Sequence, residues 1–143
     1  KEAWNVPIYA CEKEIDVLTD GQKSLVAGYF REPYTITPDV TVKAGDELSI
    51  AGFTWKVFET PGHTIGSCCY YIEKEDVLFS GDALFAGSYG RTDFPTGSGR
   101  QIAESVSRLL STLPEDTMVY PGHMDTTTIG FEKKYNPLSG AIR

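Results

Sequence analysis

The chain has 143 residues, 41% of them hydrophobic, and a formal net charge of -7. That length suits one domain with a sizeable core, and the acidic balance argues against a nucleic-acid partner because little here would neutralise a phosphate backbone. No apolar run approaches a membrane span and no charged-then-apolar leader opens the sequence, so we expect no membrane partner. The acidic charge and the cysteine usage lead us to expect a cytoplasmic location.

Residues 5–9 read as a short buried strand and residues 12–19 as a polar helical turn ended by Asp20-Gly21. The stretch containing Pro33 and Pro38 reads as loop. Phe53, Trp55 and Val57 alternate with Thr54 and Lys56, a period of two that predicts a strand with Phe53, Trp55 and Val57 on its buried face. Ala51-Gly52 predicts a tight hairpin with Leu48-Ser-Ile50. Residues 68–72 and 77–80 read as a strand pair joined by the charged turn Glu73-Lys-Glu-Asp76. Cys68 and Cys69 should then face opposite ways. With Cys11 they lack any Cys-x-x-Cys spacing, and we read all three as small apolar residues, not a disulfide or thiolate metal site.

The period then changes. Ile102, Val106, Leu109, Leu110 and Leu113 recur at helical spacing, Ser98 and Gln101 form a capping box, and Pro114 closes the helix. Residues 118–120 form a short strand running into Pro121-Gly122-His123. A last helix covers residues 128–135 before Asn136-Pro137. Strands in succession with helices at the flanks imply a layered α+β sandwich.

Only two histidines occur, and their contexts match. His63 follows the strand ending near Glu59 through Pro-Gly; His123 follows the residue 118 strand through Pro-Gly. Asp82 follows the residue 77 strand through Ser-Gly. A glycine lets the backbone turn sharply and aim a side chain off the sheet rim. Two imidazoles and a carboxylate on one rim would suit zinc, iron or manganese. Singly, each is more often a turn residue than a ligand; the three repeated contexts shift that balance, and spacing alone leaves both roles open.

Thr60-Pro-Gly-His-Thr-Ile-Gly-Ser67, Phe79-Ser-Gly-Asp-Ala-Leu-Phe85, Gly90-Arg-Thr-Asp93 and Tyr120-Pro-Gly-His123 together resemble consecutive signatures of the metallo-β-lactamase superfamily. More narrowly, they are similar to its glyoxalase II (hydroxyacylglutathione hydrolase) branch. The resemblance runs from about Val6 to Leu138. It implies an αββα layered sandwich, of which residues 1–143 are a single partial domain holding the C-terminal portion. It also implies two zinc ions, or iron or manganese in their place, with His63 serving the first, His123 the second and Asp82 bridging them. The reaction implied is attack of activated water on a small-molecule thioester.

The family's His-x-His-x-Asp-His motif is absent, since no histidine precedes His63. In the family it lies just upstream of the segment resembling residues 5–9. The expectation is therefore a fragment of a longer hydrolase, inactive alone, with an incomplete site and N-terminal strands missing. Their loss would expose an apolar sheet face or edge and invite self-association.

Tyr89, Arg91 and Phe94 are candidates for the substrate cleft. Arg91 and Asp93 could equally form an ion pair locking the loop after Asp82, and Tyr89 and Phe94 could be loop anchors. Thr64 and Ser67 are candidates for hydrogen bonding around the His63 loop, and Asp125 for a turn or helix cap. Gly-Asp-Ala-Leu and Gly-Arg-Thr-Asp also look similar to persulfide dioxygenases, which bind one iron. A non-catalytic binding domain of the same fold is the third alternative.

Overall fold

The structure, a computed structural model, describes residues 4–31 and 34–140. In chain order the strands are β1 (Tyr9–Cys11), β2 (Val40–Val42), β3 (Glu47–Ile50), β4 (Phe53–Glu59), β5 (Cys68–Ile72), β6 (Val77–Gly81), β7 (Leu84–Phe85), β8 (Ser88–Tyr89), β9 (Met118–Pro121) and β10 (Thr127–Thr128). The helices are α1 (Ile15–Leu18), α2 (Val26–Tyr29), α3 (Gly99–Thr112) and α4 (Ile129–Tyr135). Six strands form one sheet in the order β10-β9-β6-β5-β4-β3. Its pairs are antiparallel except β6 with β9, which α3 connects as a crossover.

Local chemistry explains the turns. Between β3 and β4, Ala51 and Gly52 both take positive φ, 52° and 82°, and Ile50 pairs with Phe53. This is the two-residue hairpin whose twist matches that of its strands. Ser98 caps α3 by accepting the Gln101 amide at 3.3 Å, as its spacing predicts. Thr128 caps α4 through the Phe131 amide at 3.2 Å, so the cap expected of Asp125 lies three residues further on.

The core lies between the sheet and α3. Ile102, Val106 and Leu109 are fully buried against Cys69, Tyr71, Leu78 and Val119. Each such side chain contributes about 1.5–3 kcal/mol by leaving water. Cys69 is part of this packing, while Cys68 faces the other way towards Cys11; all three thiols are free. Burial pushes the Cys69 thiol up to about 12 and raises Cys68 as well, so both are inert apolar fillers.

Three expectations are corrected. Residues 5–8 are not strand: Asn5 has φ 49°, Pro7 has no amide to donate, and the Ile8 amide goes to the Asp39 carboxylate at 2.9 Å. The strand begins at Tyr9, paired in parallel with β2. The stretch read as loop contains α2 and leads into β2, while Pro33 lies outside the described residues.

The third correction concerns β4. The face of Phe53, Trp55 and Val57 is not the one α3 covers; Val57 is buried but Phe53 is 41% exposed. Phe58 packs on the helix side instead. The sheet has two apolar faces, so alternation along one strand cannot say which is covered. On the second face Val57, Tyr70, Phe79 and Tyr120 stand in register across four strands. Phe79 touches Trp55 at 5.4 Å and Tyr120 at 5.6 Å between ring centroids.

Candidate metal centre

β4, β6 and β9 run in the same direction, so their C-terminal ends share one rim. His63, Asp82 and His123 each follow one of them within a few residues. The expected convergence is therefore a consequence of sheet topology.

The loop carrying His63 is clamped from two sides. Gly62 has φ 143°, and a β-carbon there would collide with the backbone of Ile102 in α3. The Gly62 carbonyl accepts the Ser98 amide at 2.8 Å, and the Pro61 carbonyl accepts the Ser105 hydroxyl at 2.9 Å. On the other side, one Glu14 oxygen accepts the Thr64 hydroxyl at 2.9 Å and the Gly66 amide at 2.7 Å. Thr64 and Ser67 hydroxyls also meet at 2.9 Å, as the sequence suggested. Glu14 was not foreseen, because the pairing spans about fifty positions and sits in an ordinary charged turn.

The His63 ring is oriented by its Nδ1, 2.8 Å from the Arg91 carbonyl. A carbonyl can only accept, so Nδ1 carries the proton and Nε2 of the neutral ring presents a lone pair. That lone pair faces Asp82 Oδ2 at 3.5 Å. Asp82 Oδ1 faces His123 Nε2, also at 3.5 Å. Oδ1 is buried and has no hydrogen-bond partner.

These distances fit a cation on each side of the carboxylate. Two ligands of one tetrahedral zinc, each about 2.1 Å from the ion, stand about 3.4 Å apart. A direct hydrogen bond would be about 0.5 Å shorter. Space is kept open by glycine: a β-carbon at Gly122 would strike Asp82 Oδ1, and one at Gly90 would strike the Asp82 carbonyl and crowd His63 Nδ1. Among the described residues no group of three or more His, Cys, Asp or Glu surrounds a single ion position. Each side of Asp82 thus has one imidazole and one carboxylate oxygen.

The three residues open into a cleft of about 470 Å³. Phe94 stands edge-on to His63 at 4.9 Å and Phe85 edge-on to His123 at 5.8 Å. Tyr89 and Arg91 line the same cleft, so the structure brings together all the expected cleft residues. Arg91 binds Asp93 through two hydrogen bonds of 2.6 and 2.5 Å and lies 4.6 Å over the Phe94 ring. That guanidinium holds the Asp93 carboxyl at about 2. The ion pair foreseen for this loop is present, and both members are exposed. Phe85 and Met124 also line the cleft and were missed, although Phe85 closes a motif already singled out.

The metallo-β-lactamase superfamily model matches residues 1–123. The chain belongs to the metallo-β-lactamase superfamily. An uncharacterized protein of Aquifex aeolicus is 42% identical over 99% of this chain and 67% of its own length. The probable metallo-hydrolase YqgX of Bacillus subtilis is 35% identical over 96% of this chain and 65% of its length. The hydroxyacylglutathione hydrolase GloC of Haemophilus influenzae is 40% identical over 65% of this chain and 44% of its length.

Among solved structures, BLEG-1 B3 metallo-beta-lactamase superposes with TM-score 0.83 at 39% identity, covering 97% of this chain and 68% of that one. TTHA1623 in a di-iron-bound form gives 0.82 at 33% identity, covering 95% and 66%. ETHE1 from Myxococcus xanthus gives 0.67 at 42% identity, covering 72% and 47%. The chain spans about two thirds of the length of the first of these relatives. Its α+β architecture is that of the superfamily, whose members bind metal ions and are typically hydrolytic enzymes. Among the described residues no helix is long and apolar enough to cross a membrane.

Proposed function

We propose that the protein is a metal-dependent hydrolase of small-molecule thioesters, with two ions, zinc in the first instance, held through His63, Asp82 and His123. The observation that carries this reading is Asp82, whose two oxygens each face a different imidazole Nε2 at 3.5 Å. A carboxylate placed so would hold one ion on each oxygen, with His63 and His123 as the respective imidazole partners. Two ions, when bound, supply Lewis acidity and an activated water. The chain's own part is positional. The Arg91 carbonyl fixes the His63 tautomer, Gly90 and Gly122 leave room for Asp82, and Phe94 and Phe85 pack edge-on against the His63 and His123 rings. Arg91 is already neutralised by Asp93, so it lines the cleft without offering a free charge to substrate.

The likeness to GloC supports a hydroxyacylglutathione thioester as the first substrate to test. The likeness to ETHE1 supports the second reading, a mononuclear-iron persulfide dioxygenase. The placement of His123 on the second Asp82 oxygen favours the hydrolase, because a single-ion site leaves that imidazole without a task. The full-length gene product, assayed for metal content and thioester hydrolysis, tests this directly. Two ions per chain with turnover support the hydrolase. One iron with oxygen consumption on a glutathione persulfide overturns it in favour of the dioxygenase, and a metal-free, inert product favours a binding domain.

A further inference from the structure

A fully buried carboxylate lies outside the metal centre. Glu132 in α4 has no exposed surface and accepts three groups. The Gly87 amide lies 3.0 Å from both of its oxygens, the Thr127 hydroxyl donates to Oε1 at 2.7 Å, and Asn136 Nδ2 donates to Oε2 at 2.7 Å. Asn136 Nδ2 also donates to the Ser88 carbonyl at 2.9 Å, and its Oδ1 accepts the Leu138 amide at 3.0 Å, which fixes the amide's orientation. A buried carboxylate is costly unless it is hydrogen-bonded, and here amide and hydroxyl donors reach both of its oxygens.

The donors come from two places, a hairpin that lines the cleft and the segment that follows the cleft residues His123 and Met124. Gly87 and Ser88 belong to the hairpin of β7 and β8, which has two residues per strand and pairs Leu84 with Tyr89 and Phe85 with Ser88. So short a hairpin does not hold its shape unaided. Its turn requires Gly87 at φ 65°. Thr127 and Asn136 belong to the β10–α4 segment that follows His123. The hairpin carries Phe85 against the His123 ring and Tyr89 into the cleft wall.

We propose that Glu132, with Thr127 and Asn136, is a positioning group that pins the β7–β8 hairpin in register with the His123 segment and so sets the shape of the substrate wall. The inference rests on the cleft being a substrate site. Glu132 touches none of the three proposed ligands, so its task concerns substrate fit and not metal capture.

The test uses the full-length gene product with Thr127→Val, Thr127→Ser and Glu132→Gln, a hydroxyacylglutathione thioester as substrate, and three readouts. Thr127→Val and Glu132→Gln should raise KM about tenfold while kcat and bound metal stay within about twofold, since a wall is moved and the reacting centre is not. The amides of residues 87–89 should exchange faster with solvent deuterium, and Thr127→Ser, which keeps the hydroxyl, should restore both. Unchanged KM and exchange in Thr127→Val overturn the proposal. So does a parallel loss of metal and kcat, which marks a general fold defect. A wild type that hydrolyses no thioester defeats the functional reading instead, and the exchange readout still decides whether Glu132 pins the hairpin.

Discussion

Asp82 Oδ1 is buried directly against Gly122, the residue before His123, and stands 3.5 Å from His123 Nε2. The backbone of the His123 loop is thus the packing surface for the Asp82 carboxylate. Glycine is needed at position 122 for space, since any β-carbon would overlap Oδ1. Gly122→Ala should push the carboxylate off its bridging position. We expect metal affinity to fall at least about tenfold, by analogy with loss of a group that orients a ligand, with a thermal midpoint lowered by only a few degrees. Metal titration of the full-length protein beside a melting curve checks both halves. Unchanged affinity would remove Asp82 from the ligand set.

Glu14 ties the N-terminal turn to the His63 loop through the Thr64 hydroxyl and the Gly66 amide. Replacing it with alanine removes a charged acceptor from two donors, worth about 1–3 kcal/mol. Glu14→Ala should therefore lower the melting midpoint and speed hydrogen exchange at residues 64–66 more than elsewhere. The core under α3 should keep its protection, because Ser98, Ser105 and Gly62 hold that side of the loop independently.

The sequence made the convergence of His63, Asp82 and His123 on one rim legible because each repeats one local device, an apolar strand, a glycine and then the side chain. The α3 helix was equally legible, since its cap at Ser98 and its buried stripe are both encoded within one element. What was not legible depends on pairing across long separations. Glu14, which meets Gly66, and Glu132, which meets Gly87, lie in charged segments that look like ordinary solvated surface until the fold brings the donors over. The covered face of β4 failed for a related reason: Phe53, Trp55 and Val57 give a clean alternation, but only the position of α3 decides which face becomes core.

Stability in acid should depend on Glu59. Its carboxyl lies below the ordinary range, first through the hydrogen bond from Lys13 at 2.5 Å and then through the Ala44 amide at 3.1 Å. A depressed carboxyl stabilises the fold fully above its unfolded value of about 4.3, and the contribution fades as pH falls through the folded value. Glu59→Gln should thus melt about 2–4 °C below wild type at pH 7. The gap should close as pH falls through the depressed folded value, below which the wild-type carboxyl is protonated and both forms are neutral at this position. Melting curves from pH 3 to 7 read this out, and a gap that widens in acid would reverse the sign.

The aromatic face bears on how the 143-residue species behaves alone. Phe79 and Tyr120 are 38% and 42% exposed, and Trp55 and Phe53 continue the same surface along β4. Large contiguous apolar patches are uncommon on monomers and drive association when left open. We propose that this species self-associates through that face. Sedimentation should show a weight-average mass that rises with concentration, and Phe79→Asp should abolish the rise, because a charge at the centre of the stack would be desolvated without a partner. The same substitution leaves the α3 side untouched, since Phe79 points away from Leu78 and the helix core. A mass independent of concentration in the unsubstituted chain would show that the face is tolerated in water.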